Sequence, residues 1–489
     1  MSRFREQLTS RENLVWAWQK AKRLYESADG PVDWGAITAF ELDLERQLDA
    51  IARDFTNLKY RLTPLILLPQ PKKPDGDGNP RLRQSFHVAV RDQVAWLALV
   101  NVIGPTLDAK IPPWVYGHRL YKAAWFEEEE NQERRLALGP YRHSTGALYR
   151  KFKHSWPLFR RHISLTARRM VNAIPHEEQL DPSERSALNY EDSPVYLSPL
   201  HWPAAAGPQL HYVSIDLEKF YPSIEKRAIL TGLRRYLPDY SNDPWLSRLV
   251  ERLLDFKVSR YGSTLLGREV VQPRTKPGSL SGIPTGLMTA GFLSNVAMLR
   301  LDRLAARQVR RDPSIAQFRF VDDHALLAYD FDRLCAWVRW YEAMLARMGI
   351  GPRISATKFD PPEMACAYAA DAGPAEHEAA REKSKIDGRH PSALMTKTLA
   401  LVSELAGADF DTLSAQSKGE RLNELEWLLL ADLPDREIRS DTRAAFAAGR
   451  IASLVPVAAT PSMDLLHAAR LLAQLDQQLR NLKDPTDKI

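Results

Sequence analysis

Apolar positions near the start of the chain recur every three or four residues: Leu14, Trp16, Ala21 and Leu24, then Phe40, Leu44, Leu48 and Ile51. That spacing predicts helices over 12–57. The pattern changes at 60–90. An apolar stretch at 65–68 is followed by Pro and Gly punctuation (PQPKKPDGDGNP, 69–80) and then Arg81-Leu82-Arg83, which predicts a hairpin. Helical spacing returns over 89–107. Residues 211–216 (HYVSID) read as a short strand ending in a carboxylate, with a helix from near Pro222 through Arg235. The loop 278–286 (GSLSGIPTG) feeds an apolar helix from Leu287 to about Ala306. Residues 317–329 read as two strands joined at Asp322-Asp323, followed by a helix over 332–348 and a return to strand at 349–358. This order predicts an α+β fold, a sheet with helices on one face. The polar stretch 370–391 marks a boundary. Beyond it, the stripes Leu422, Leu425, Leu429 and Leu465, Ala469, Leu472, Leu475, Leu479, Leu482 predict an all-α bundle or stack.

Composition narrows the class. With 489 residues, 44% of them hydrophobic, the chain has enough apolar surface for a large core, which excludes collagenous and disordered readings. Its two cysteines, Cys335 and Cys366, form no CxxC pair, which excludes a disulfide framework or zinc site and fits a reducing cytoplasm. No apolar run is long enough for a membrane span and the N-terminus lacks a signal core, so a soluble, cytoplasmic protein without membrane partners is expected. The net charge of +6 matters less than its location. Ten Lys and Arg residues lie between Arg134 and Arg169 without one Asp or Glu, interleaved with Tyr141, Tyr149, Phe152, Trp156 and Phe159. Cations beside aromatic faces suit a phosphate backbone with bases to stack, which makes Arg150, Lys151, Lys153, Arg160 and Arg161 candidate nucleic-acid contacts; a solvated helical face is the alternative. The acidic run at 127–130 reads as plain surface.

Three segments carry candidate chemistry. Asp216 stands at a strand end with Tyr221 five residues on; Gly282-Ile-Pro-Thr-Gly286 makes a turn at a helix start; Asp322 and Asp323 occupy a hairpin tip. Carboxylates projected from neighbouring strand ends can hold Mg²⁺, a hard cation wanting oxygen ligands. Two such ions stabilise both the attacking and the leaving oxygen of an in-line phosphoryl displacement. Singly each motif is ordinary turn or loop chemistry; the order and the surrounding elements make the set specific.

FYPSI after Asp216, GIPTG at 282–286 and FVDD at 320–323 resemble the palm motifs of reverse transcriptases. The stretch 60–120, with VAVRDQVAW (88–96) and VYGHRL (115–120), is similar to the fingers of group II intron and retron enzymes, and 348–358 resembles the later palm segment that ends in a lysine. The resemblance spans roughly 10–370. It implies a right-hand polymerase with fingers and an antiparallel palm sheet, followed by an all-α C-terminal region, and an RNA-directed DNA polymerase taking dNTPs with two Mg²⁺, or Mn²⁺. It also implies roles: Asp216, Asp322 and Asp323 as metal ligands; Tyr221 as gate beneath the sugar 2′ position; Arg83, with Lys72 or Lys73, on the triphosphate; Lys358 as the proton donor to pyrophosphate; and Gly282, Pro284 and Gly286 beneath the nascent base pair. Thr285 stands where many members have Gln.

The expected domains are N-terminal helices and fingers (1–121), a basic and aromatic insertion (122–205), the palm (206–370), a linker (371–391) and a helical, thumb-like or repeat-like C-terminus (392–489). No primer grip, maturase or endonuclease part is recognisable. The stand-alone arrangement therefore resembles the abortive-infection and unknown-group reverse transcriptases that defend bacteria against phage. Members of that group work on RNA or DNA, some without a usual template or from a protein hydroxyl; a dedicated non-coding RNA and homo-oligomers are implied partners. Two alternatives remain open: a mobile-element reverse transcriptase, and a nucleic-acid-binding scaffold with a relic palm.

Overall fold

The computed structural model describes residues 3–27, 32–72, 81–128, 134–174, 182–203, 207–259, 278–368, 373–389, 405 and 414–430. Two compact units are present: 1–70, 83–152 and 165–389 form one, and 71–82, 153–164 and 390–489 the other.

The first unit opens with four helices, α1 (Arg3–Thr9), α2 (Arg11–Glu26), α3 (Trp34–Leu42) and α4 (Leu44–Thr56). Ser10 and Asp33 cap α2 and α3 through their side chains, on Asn13 N and Ala36 N. After β1 (Ile66–Lys72) and β2 (Arg81–His87), which pair as the punctuation predicts, comes α5 (Val90–Asp108). Every side chain from Val94 to Val100 is fully buried, so α5 is apolar all round and runs through the core. A second hairpin, β3 (Ala124–Glu128) with β4 (Arg134–Leu138), occupies part of the expected insertion. Its register sets Glu127 opposite Arg135 and Glu128 opposite Arg134, so part of the acidic run and part of the basic run are cross-strand neighbours. Helix α6 (Phe152–Met170), whose residues 153–164 belong to the second unit, and α7 (Pro182–Leu188) follow.

The main sheet is antiparallel and follows β5 (Gln209–Leu217). After β5 come α8 (Phe220–Ser223), α9 (Lys226–Tyr236), α10 (Pro244–Leu253) and α11 (Ala290–Arg311). The hairpin β6 (Ile315–Phe320) and β7 (Asp323–Ala328) leads to α12 (Phe331–Arg347), β8 (Ile354–Asp360) and α13 (Met364–Tyr368). Strand order is β6-β7-β5-β8. The result is a mixed helix and sheet fold.

The expected linker at 371–391 is corrected. Helix α14 (Pro374–Ser384) and strand β9 (Lys385–Asp387) fill most of it, and β9 pairs with Gln209–His211 at the start of β5. The first unit accordingly extends to Arg389. The polar composition of this stretch misleads because β9 joins the sheet through backbone hydrogen bonds, which need no apolar side chains.

In the second unit, α15 (Ala415–Leu430) buries Leu422, Leu425 and Leu428. The stripe at 465–482 and the side chain of Leu429 lie outside the described residues. Among the described residues no helix is long and apolar enough to cross a membrane.

Candidate active site

Asp216 and Asp323 face each other across the β5–β7 ladder as register partners. Directly opposed residues of an antiparallel pair project from the same face, which places these two carboxylates side by side. Asp322 is one residue away, in a two-residue loop closed by the pair Phe320–Asp323; Leu217 N donates to its carbonyl at 3.2 Å. The first residue of that loop, Val321, has φ 61°. Positive φ at the first loop position is the type II′ pattern normally met with glycine, and a β-branched residue adopts it only where its surroundings compel it.

Arg319 is one group that holds it there. The side chain is fully buried, donates from Nη1 to Val321 O (3.1 Å), and forms a two-pronged ion pair with the fully buried Asp302 of α11 (Nη2–Oδ2 2.6 Å, Nε–Oδ1 3.3 Å). The backbone of Arg319 is held at both ends, Tyr116 N donating to its carbonyl and Arg319 N to Trp114 O. Gly117 lies flat against the loop: a Cβ there would stand 2.6 Å from Val321 Cγ2. Asn295 Nδ2 donates to Gly117 O (2.9 Å). Beyond the loop, the buried His324 makes hydrogen bonds to Asp322 O and to the Tyr341 hydroxyl, both 2.9 Å. The hairpin tip is thus gripped from α11, α12 and the segment after α5.

Lys358, on β8, donates from Nζ to Asp216 Oδ2 at 2.7 Å; the lysine is exposed and the aspartate largely covered. The site therefore already holds one cation against its carboxylate. Among the described residues no three His, Cys, Asp or Glu side chains converge into a cage for an ion. One or two hard carboxylates are nonetheless the kind of set that binds Mg²⁺, which keeps waters and takes substrate phosphates for its remaining positions.

Tyr221 follows β5 in α8. Its ring packs near Phe220 (centroids 5.4 Å) and His118 (6.5 Å), and burial, reinforced by the charge of Asp322, pushes its hydroxyl above the usual tyrosine range. The Gly282–Gly286 loop is seated by close approach. Ile283 N donates to Tyr221 O (2.9 Å), and a Cβ on Gly282 would stand 2.1 Å from Pro222 O. Gly286 has φ 113°, and a Cβ there would stand 2.2 Å from Phe86 O. Phe86 N donates to Thr285 O (2.7 Å), which ties the loop to β2, the strand that carries Arg83. Gln93 bridges the loop to the start of α11 by donating to Gly286 O (2.8 Å) and accepting from Met288 N (2.9 Å). Pro284 is buried and Thr285 partly exposed. The side chains of Lys72 and Arg83, and all of Lys73, lie outside the described residues.

No protein-family model matches this sequence. No curated protein matches it either. Among solved structures it is similar to apo telomerase from Candida tropicalis, with 10% identity, a TM-score of 0.34, and coverage of 85% of this chain and 62% of that one. A second similar structure is telomerase from Candida albicans in complex with a TWJ fragment of telomeric RNA, with 8% identity, a TM-score of 0.33, and 86% and 65% coverage. The Candida tropicalis enzyme with the same kind of RNA fragment gives 11% identity, a TM-score of 0.23, and 90% and 70% coverage. The chain spans less than two thirds of the length of the first two.

The candidate nucleic-acid contacts divide. Arg150 is corrected: its guanidinium is turned inward, onto Asp192 (3.0 Å) and the Tyr190 hydroxyl (2.9 Å), and is not presented to a phosphate. Asp192 lies 42 residues further on, outside the acid-free window that made the segment look uncompensated. Lys151 is exposed, Arg160 and Arg161 are half-buried, and the side chain of Lys153 lies outside the described residues.

Pattern reading missed Arg319, Asp302, His324, Tyr341, Gln93 and His118. A lone charge inside the apolar run of β6 was the available signal for Arg319. His118 sits between Tyr149 (4.8 Å) and Tyr221, its Nδ1 buried without a partner among the described residues, and a Cβ on Gly291 would collide with its ring. Burial, then the charge of Arg319, lowers its pKa to about 4. The unfolded chain, titrating near 6.5, binds the proton first as pH falls, so stability is lost from about pH 6.5 down to about 4. The expected loss is about 2–3 kcal/mol. His118 has φ 53°, which asparagine tolerates; in His118→Asn, melting temperatures at pH 7 and pH 5 are expected to differ less than in the wild type. An equal difference would show that another group carries the effect.

Proposed function

We propose that this chain is a reverse-transcriptase-type DNA polymerase that transfers nucleotidyl groups from dNTPs with two Mg²⁺ ions. The observation that carries the reading is the opposition of Asp216 and Asp323, beside Asp322, on a hairpin tip held in a strained turn. Asp216, Asp322 and Asp323 are the residues that would hold the ions, with Mn²⁺ as a substitute. When bound, the metal stabilises charge on the attacking and leaving oxygens. The rest is done by the chain's own groups. The Gly282–Gly286 loop, which tolerates no Cβ at either glycine, supports the nascent pair. Tyr221 closes the space beside the sugar. Arg83, Lys72 and Lys73 receive the triphosphate. Lys358 gives a proton to departing pyrophosphate once its ammonium leaves Asp216. In this reading 1–121 are fingers, 206–389 palm, and 392–489 a thumb-like helical region. The partner is RNA or DNA; a role in phage defence draws its support from the sequence resemblance to abortive-infection enzymes.

Labelled dNTP incorporation by the purified chain in Mg²⁺, with RNA and DNA templates and without template, tests the proposal. Incorporation that chelation abolishes is expected. Its absence under every combination overturns the reading.

Tyr221 supplies a sharper test. Tyr221→Ala is expected to raise ribonucleotide use relative to dNTP use by about tenfold or more, since about 1.4 kcal/mol of lost steric exclusion suffices for that factor. Some dNTP incorporation should persist. A destabilised variant that still excludes ribonucleotides would reduce Tyr221 to packing against Phe220 and His118.

A further inference from the structure

We propose that a basic groove at the C-terminal end of α9 is a second nucleic-acid site, binding the sugar–phosphate backbone of a strand. The inference deepens the polymerase reading by adding a place for the nucleic acid, and it has a separate test. The groove is a cavity of about 520 Å³ whose lining includes Lys110, Arg234, Arg235, Tyr236, Asp239 and Arg303. These residues come from three places: the end of α5, the last turn of α9 with the loop after it, and the middle of α11.

Four cations meet one carboxylate there. Among the described residues, none of the four has an acidic side chain within 4.0 Å, whereas Arg119, Arg150, Arg168 and Arg319 all do. Arg303 is fixed by donation to Lys110 O (3.2 Å), and Arg235 and Arg303 stand over the Tyr236 ring at 5.9 and 5.6 Å. The Tyr236 hydroxyl is buried and has no hydrogen-bond partner among the described residues. A buried hydroxyl without a partner is costly unless something supplies one. Complementing the helix dipole accounts for Arg234 and Arg235 at the end of α9. It does not account for Lys110 and Arg303, which come from other helices, or for the orphaned hydroxyl.

A phosphate backbone neutralises these cations. The ring of Tyr236 is occupied by guanidinium groups, so the groove offers charge and not a platform for bases. Such a site binds backbone irrespective of sequence and is steeply salt-dependent. Cations spread over three elements match consecutive phosphates of a strand better than one free nucleotide. α11 also links the groove to the catalytic hairpin by adjacent residues: Asp302 holds Arg319, and Arg303 lines the groove.

The test measures binding of a 20-nucleotide single strand to the full-length chain by fluorescence anisotropy over a salt series, without divalent metal. Arg234→Gln/Arg235→Gln/Arg303→Gln is expected to make the slope of log K against log salt shallower by about 2, from about 0.7 per phosphate contact. The loss should be equal for homopolymers of different base. Should the triple variant melt early, Arg234→Gln/Arg235→Gln changes only exposed residues and is expected to lower the slope by about 1.4. An unchanged slope in the arginine variants overturns the proposal, as does loss of fluorescent dATP binding with strand binding intact, which would make the groove a free-nucleotide site. Strand binding with the expected slopes in a chain that never incorporates dNTPs would sink the polymerase reading and leave the groove standing.

Discussion

Asp322→Ala combined with Asp323→Ala should abolish Mg²⁺-dependent dNTP incorporation, by at least about 10³-fold, while leaving the melting temperature within a few degrees of the wild type. The first figure follows from removing carboxylates that would hold the metal charge, an interaction worth several kcal/mol at the transition state. The second follows from where the side chains lie. Asp323 is exposed and Asp322 half-exposed. Several contacts that secure the loop use backbone atoms, Asp322 O toward His324 and Leu217 N, and Val321 O toward Arg319. Alanine keeps every one of them. The measurement is single-turnover incorporation alongside a thermal melt. Full activity in the folded double variant would remove the proposed chemistry. Strand binding by this variant should persist, because the groove residues are untouched.

How far this site could be read from the sequence depended on the range of the forces that build it. Strand ends, the two-residue loop and the Gly282–Gly286 turn are local. Their signals are alternation, a carboxylate pair and glycines, and β5, β6, β7 and α11 lie within a few residues of expectation. Close approach explains both glycines after the fact: Pro222 and Phe86 carbonyls sit where a Cβ would go. Partners distant in sequence were invisible. Asp302 lies 17 residues before Arg319, on another element, and Asp192 lies 42 after Arg150. A window count of charges sees an uncompensated arginine at 150 and credits Arg319 to the neighbouring Asp322 and Asp323, whereas the fold pairs Arg150 with Asp192 and Arg319 with Asp302. The same blindness hid the groove, whose cations come from three separate segments, around 110, 234–235 and 303, and never form a long run. β9 was lost for the opposite reason. Three residues, Lys385-Ile386-Asp387, carry no pattern at all, and the edge hydrogen bonds of β5 decide their conformation.

The Arg319–Asp302 pair is expected to matter twice, and the two effects can be separated. Arg319→Met alone strands a buried carboxylate at Asp302 and should cost about 3–5 kcal/mol of stability, enough to shift thermal unfolding markedly. Lost activity in that variant would say little about the hairpin. Replacing both members, Arg319→Met with Asp302→Leu, removes the stranded charge, and well-packed apolar substitutes for a buried pair are often neutral or stabilising. The double variant should therefore recover most of the lost stability. It cannot recover the donor to Val321 O, so that residue loses one of the contacts that hold its positive-φ conformation, which costs a β-branched residue on the order of 1–3 kcal/mol. The loop should relax, and Asp322 and Asp323 should lose their placement beside Asp216. Incorporation is thus expected to stay at least about tenfold down in kcat, with dNTP KM little changed, in a protein that melts like the wild type. Amide exchange at 321–323 should quicken in parallel, a change that a purely structural ion pair would not produce once stability is restored. Recovery of kcat together with stability would show that Arg319 serves the core and leaves the hairpin to hold itself.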